Sequence, residues 1–262
     1  MKLSLLNELR AQNPIVLNVS NFVTVQDVAN GINAIGASPI MSEEIAKTEA
    51  MVKMSGAVAL NLGAFTQDQV AHVRKMGQLA NQYGKPVILD PVAVGAVAYR
   101  LGVAQSLLRD FQVSVIRGNA GEIAALAGIQ WAAKGIDAGE GQGDLKAIAR
   151  SAALKHNCVV ILSGPTDFIT DGTTVVTVKN GTPLFQLHVG SGDMLSSIVG
   201  AFAAVTDDAF EAAQTACLVF GTTGQLVAEA IGAELPGTFT VKLMDQLHLV
   251  TTQEIEAVAD YE

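Results

Sequence analysis

Short apolar runs alternate with segments of helical periodicity along most of the chain. Residues 57–62 are largely apolar and end at Gly63, which suits a buried strand. Thr66 with Gln69 three residues later is a capping-box signature. Val70, Val73, Leu79 and Tyr83 then recur at roughly helical spacing until Gly84 and Pro86 stop the helix. Residues 87–89 predict a strand ending at Asp90. Helix follows at 104–111, strand at 113–116, and helix at 120–127, stopped by Gly128. Asp144 caps a helix running to about His156, and 158–162 is the next strand.

This alternation implies βαβ units: an α/β fold in three layers, with a mostly parallel central sheet between helices. After residue 164 the pattern changes. Residues 168–170, 173–178 and 183–187 predict three short antiparallel strands, joined at Asp171-Gly172 and Asn180-Gly181, pairs suited to the positive φ of hairpin turns. From Asp193 onward the chain predicts helices over roughly 193–205, 207–231 and 240–258. The first is apolar nearly all round and is expected to be buried. With no composition break or repeat, residues 1–262 read as a single domain.

Composition narrows the function. Of 262 residues, 50% are hydrophobic and 16% charged, which excludes a disordered chain. The net charge is −9, and the 16 Lys and Arg residues are scattered. That disfavours nucleic acid and anionic membrane surfaces as partners. Cys158 and Cys217 lie in apolar runs and read as reduced core thiols. Neither a signal peptide nor a membrane span is visible, so the expected location is the cytoplasm.

Ligands of open α/β sheets bind beyond the carboxyl ends of the strands, so polar residues just after apolar runs are informative. Asp90, held extended by Pro91, is either a carboxylate able to reach a metal-bound phosphate or a turn residue. Arg117-Gly118-Asn119-Ala120-Gly121-Glu122 places a cation suited to phosphate, an amide and a carboxylate at a helix start. Asn119 also reads as that helix's cap. Gly190-Ser191-Gly192-Asp193 opens the buried helix. Its glycines admit close backbone approach, and the helix start presents unpaired N–H groups to an anion such as a transferring phosphoryl group. Asp193 reads as an N-cap or as a general base, and the helix start favours its ionised form. Among the four histidines, His188 alone lies near a motif and reads as scaffold or pocket wall. P-loop, zinc and serine-hydrolase signatures are missing.

At these residues the chain resembles the hydroxyethylthiazole kinase family of the ribokinase-like superfamily. The likeness runs from about Pro14 to beyond Phe220. It takes in Pro14-Ile-Val-Leu-Asn-Val-Ser-Asn21, Ile35-Gly-Ala-Ser-Pro-Ile-Met41, Asp90-Pro-Val-Ala-Val-Gly95, Arg117-Gly-Asn-Ala-Gly-Glu122, Leu162-Ser163-Gly-Pro-Thr-Asp167 and Gly190-Ser-Gly-Asp193, in family order. The resemblance implies a ribokinase-like fold and transfer of the ATP γ-phosphate to the primary alcohol of 4-methyl-5-(2-hydroxyethyl)thiazole, a thiamine-salvage step. It implies that Met41, Gly190 and the stretch holding Asn21 meet the thiazole. Arg117, Ser163 and Asn119 would meet ATP, and Asp90 and Glu122 would serve Mg²⁺. Gly190, Ser191 and Gly192 would form an anion hole, with Asp193 as base. It also implies a homotrimer with the thiazole site at the subunit boundary. The family commonly has Cys at position 193, His at 17, Ser at 121 and Thr at 189. A kinase of another small alcohol, and a binding protein without turnover, are the competing readings.

Overall fold

The computed structural model describes residues 1–131 and 143–262. One sheet of eight strands organises it: β1 (Ile15–Val19), β2 (Ser38–Met41), β3 (Ala57–Asn61), β4 (Val87–Asp90), β5 (Val115–Asn119), β6 (Val159–Ser163), β7 (Asp167–Thr170) and β8 (Val175–Val178). Their order is β2-β1-β3-β4-β5-β6-β7-β8. Pairing is parallel from β2 to β6 and antiparallel from β6 to β8. The helices are α1 (Ser4–Gln12), α2 (Val25–Ile35), α3 (Thr48–Met54), α4 (Gln67–Gln82), α5 (Ala98–Asp110), α6 (Ala120–Ala127), α7 (Leu145–His156), α8 (Ser191–Ala203), α9 (Ala209–Ile231), α10 (Pro236–Leu249) and α11 (Thr252–Val258).

Two apolar cores, one on each face of the sheet, make the three layers. Leu5, Ile32, Ile198, Phe202, Leu218 and Phe239 bring α1, α2 and α8–α10 onto one face. Val52, Met76, Leu107, Ile123 and Ala152 bring α3–α7 onto the other. The central strands are buried on both faces, hence their continuous apolar runs. Of the described α8 residues all but Gly192 are buried, as its all-round apolar character predicts.

Local signals fix several boundaries. Thr66 and Gln69 form the capping box of α4, Asn119 and Glu122 that of α6, and Asp144 accepts from the Ala147 amide at the start of α7. Two expectations are corrected. Residues 183–187 form a 3₁₀ helix rather than a third antiparallel strand: Pro183 removes a ladder donor, and the Thr182 hydroxyl caps the Leu184 amide instead. The antiparallel segment therefore ends at Val178. Its outer edge is covered by the C-terminus, where Thr177 and Glu262 exchange backbone bonds of 2.8 and 3.1 Å.

The expected helix at 240–258 is two helices. Val250 leaves the helical conformation (φ −54°, ψ 133°), and Thr251 starts a new capping box with Glu254. The Arg10 guanidinium donates to the Leu247 and Val250 carbonyls at 2.9 and 2.8 Å, satisfying the end of α10. Among the described residues, no helix is long and apolar enough to cross a membrane.

Candidate active site

The carboxyl ends of β1 and β3–β6 converge at one rim of the sheet. β1 is flanked by β2 and β3, so the direction in which successive parallel strands are added reverses there, the switch point where α/β sheets open a crevice. Asp90 closes β4 beside Asn61 of β3 in register. Arg117 lies on β5, and Asn119 is in register with Ser163 of β6. The amino end of α8 meets the same rim, because α8 packs across β1, β3 and β4.

Arg117 links these parts. Its Nε donates to Ser163 Oγ at 2.9 Å, and its Nη1 lies 3.6 Å from Asp90 Oδ2. A Cβ on Gly192 would collide with the guanidinium, so the glycine is what lets Arg117 reach the start of α8. The same Asp90 oxygen accepts from Ser196 Oγ at 2.8 Å. Burial pushes the Asp90 carboxyl above its ordinary range, against the pull of Arg117 and Ser196.

Asp193 is buried, and its Oδ2 accepts from Thr24 Oγ1 at 2.7 Å. Burial and the neighbouring Asp90 charge push its pKa up to about 7, with Thr24, Ser20 and Arg117 opposing. The expectation that the helix start would favour the ionised form is thus reversed. Desolvation and a like charge outweigh the dipole. Gly190, at φ +101°, makes the left-handed turn into α8, and a Cβ there would press within 2.7 Å of Thr24 Cγ2.

Ser191 does not present its amide to the rim: its N–H and its hydroxyl both donate to the His188 carbonyl, at 3.2 and 2.8 Å. The amides of Gly192 and Asp193 therefore lead the helix toward an anion, beside Arg117.

Glu122 first serves the fold. Its Oε1 accepts from the Ala93 amide and its Oε2 from the Asn119 amide, each at 2.8 Å, while Asn119 Oδ1 accepts from the Glu122 amide at 2.9 Å. The helix-cap reading of Asn119 is realised. Burial and Asp90 push Glu122 upward too.

On the other side of the crevice, Asn21 Oδ1 accepts from the Val23 amide at 3.0 Å and Asn21 Nδ2 donates to Asn61 Oδ1 at 3.2 Å, shaping the β1–α2 loop. Met41, half-buried, ends β2 in register with Asn18. Leu17 is fully buried in the core facing α3–α7, a packing residue. Asp167, after β6, accepts from the Gly164 amide at 3.0 Å, and burial pushes it up to about 6.

The eight-stranded, mostly parallel sheet between helical layers is a fold shared with ribokinase-like α/β proteins. A ribokinase-like superfamily protein of Enterococcus faecalis overlays with TM-score 0.65 at 13% identity, covering 94% of each chain. The chain belongs to the hydroxyethylthiazole kinase family, whose profile matches residues 6–253. It is 68% identical over 262 residues to the hydroxyethylthiazole kinase of Levilactobacillus brevis, covering 100% of both chains. A solved hydroxyethylthiazole kinase of Pyrococcus horikoshii is 32% identical, with TM-score 0.90 over 99% of this chain and 97% of that one. The chain is thus a phosphotransferase with an alcohol acceptor.

Sequence reasoning missed Thr24, Asn61 and Ser196. Thr24 immediately precedes a helix, where threonine reads as a cap. Ser196 sits one turn after Asp193, on a helix whose polar residues carried the only available hint.

Proposed function

We propose that this chain transfers the γ-phosphate of ATP to the primary hydroxyl of 4-methyl-5-(2-hydroxyethyl)thiazole, with Asp193 as general base, as a step of thiamine salvage in the cytoplasm. The observation that carries the reading is the placement of a buried carboxyl with a pKa near 7 at the amino end of α8, beside Arg117. A base is most effective when its pKa lies near the operating pH. Asp193 takes the hydroxyl proton as the oxygen attacks, and the bond from that oxygen to the γ-phosphorus replaces the bond to ADP. The Gly192 and Asp193 amides and the Arg117 guanidinium face the charge on the transferring group. Arg117, Ser163 and Asn119 hold the nucleotide, while Met41, Asn21 and Gly190 hold the thiazole.

The donor set suits Mg²⁺. Asp90 and Glu122 are buried carboxyls raised by desolvation, so a hard cation would restore their charge. Among the described residues, no three His, Cys, Asp or Glu side chains form a metal-binding group. Mg²⁺ is typically held by one or two carboxylates with water and phosphate. Both Glu122 oxygens already accept backbone N–H groups, which favours contact through water. When bound, Mg²⁺ neutralises phosphate charge.

A homotrimer is part of this reading. Exposed Phe22, Val23, Leu187 and Val189 lie within three residues of Thr24 or Gly190, which meet at the start of α8, and they suit burial against a second copy. Residues 1–262 would then act as one kinase domain per subunit. Incubation with Mg-ATP and a panel of small alcohols tests the substrate. Preferential phosphorylation of the thiazole alcohol is expected. Preference for a pyrimidine alcohol or a sugar would overturn it.

A further inference from the structure

His188 is unused by the proposed chemistry, yet it is a hub beside it. Its imidazole is buried, with Nδ1 3.0 Å from Thr240 Oγ1 on α10. The Thr240 hydroxyl has a single hydrogen, and the Pro236 carbonyl lies 3.2 Å from Oγ1. With that hydrogen on the Pro236 carbonyl, Thr240 Oγ1 accepts from His188 and the imidazole proton sits on Nδ1; with it on Nδ1 the ring takes the other tautomer, and we take the first arrangement. Nε2 is then a lone pair, buried and without a hydrogen-bond partner among the described residues.

The backbone of His188 is engaged as fully. Its N–H donates to the Phe185 carbonyl at 3.4 Å, and its carbonyl receives both the amide and the hydroxyl of Ser191. Two residues on, Gly190 turns against Thr24, the partner of Asp193. An apolar side chain of similar size would leave no stranded acceptor in this core. The one hydrogen bond the imidazole makes among the described residues ties the turn to α10.

We infer that His188 is a positioning residue: its Nδ1–H bond to Thr240 bolts α10 to the Gly190–Asp193 turn and so sets where the amides of that turn and the Asp193 carboxyl stand. The inference rests on the proposed kinase reading, since it assigns that turn to the reacting phosphate. Misplacement of a reacting group by about 1 Å can cost on the order of 10²-fold in rate.

The test has two arms on the full chain. Protein labelled with ¹⁵N-histidine reports the His188 tautomer by NMR, independently of turnover. Neutral imidazole with the proton on Nδ1 is expected, and an Nε2–H or doubly protonated ring at neutral pH would overturn the inference. Kinetics of His188→Leu, Thr240→Val and the double variant form the second arm. Each single change is expected to lower kcat by roughly tenfold, with KM for ATP and alcohol moving less and melting temperature unchanged or raised. The double variant should be no worse than the poorer single one. His188→Asn, whose amide N–H sits near the Nδ1 position, should retain several-fold more kcat than His188→Leu. Near-wild-type kcat in His188→Leu, or losses that multiply in the double variant, would overturn the assignment. Lack of wild-type activity on any alcohol would instead count against the kinase reading, leaving the tautomer result standing.

Discussion

Thr24 Oγ1 donates a 2.7 Å hydrogen bond to Asp193 Oδ2, joining residues 169 positions apart. Thr24 occupies the N-cap of α2, yet its side chain caps no amide of that helix. A cap bond commonly stabilises by about 1 kcal/mol. Here the hydroxyl is turned to the candidate base instead, where it holds the carboxyl and favours its charged form against burial.

Replacing Thr24 by Val keeps the methyl that backs Gly190 and deletes the donor. The Asp193 carboxylate then loses a bond that only its charged form fully exploits, so its pKa rises. The acid limb of the kcat profile should move upward by roughly 0.5–1 pH unit, the equivalent of one hydrogen bond of about 1 kcal/mol. An unmoved limb would separate that limb from Asp193.

Asp193 also makes stability depend on pH. Its pKa rises from an ordinary 3.8 to about 7 on folding, so the folded state favours the neutral form. The associated stability is complete below the unfolded value and is lost as pH climbs through about 7. Asp193→Asn has no such charge to bury. It should melt above the wild type at about pH 9, with the gap closing toward about pH 4. The gap at high pH should reach on the order of 1–3 kcal/mol, or several °C for a chain of this size. Melting curves across that range check it.

Gly192→Ala would place a methyl where the Arg117 guanidinium stands. The arginine must then give up its approach to the start of α8 and strain its contacts with Ser163 and Asp90. KM for ATP should rise by about tenfold or more, the loss of one charge-assisted bond. Nucleotide titration of the variant measures it.

Glu122→Ala leaves the Ala93 and Asn119 amides without their carboxylate acceptor. A loss of roughly 1–3 kcal/mol in denaturant unfolding is expected. Glu122→Gln retains one acceptor oxygen and should lose less, while raising the Mg²⁺ concentration needed for half-maximal rate. Equal Mg²⁺ requirements in Glu122→Gln and wild type would remove Glu122 from the metal's surroundings.

The local grammar of the chain was readable where a single signal decides. Asn119 with Glu122 and then Gly128 delimit α6 to the residue, and Asp144 starts α7 as expected. It misled where a tertiary role outranked a local one. Asn180-Gly181 suits a hairpin turn, but Asn180 is buried and ties the C-terminal tail: its Nδ2 donates to the Val258 carbonyl and its Oδ1 accepts from the Asp260 amide. The site was legible as motifs at strand ends, because the switch-point rule places such residues together. Thr24, Asn61 and Ser196 were not, since each matters through a contact far along the chain that no spacing encodes. The charge state of Asp193 was misread for a related reason: a helix start is visible in sequence, whereas burial beside Asp90 is not.

The central claim is that Asp193 removes the alcohol's proton during phosphoryl transfer. Single-turnover transfer from Mg-ATP to the thiazole alcohol, compared between wild type and Asp193→Asn with both substrates saturating, tests it most directly. A rate lower by about 10²-fold or more, with ATP affinity unchanged, is the predicted result. Transfer at the wild-type rate in the Asn variant would contradict it.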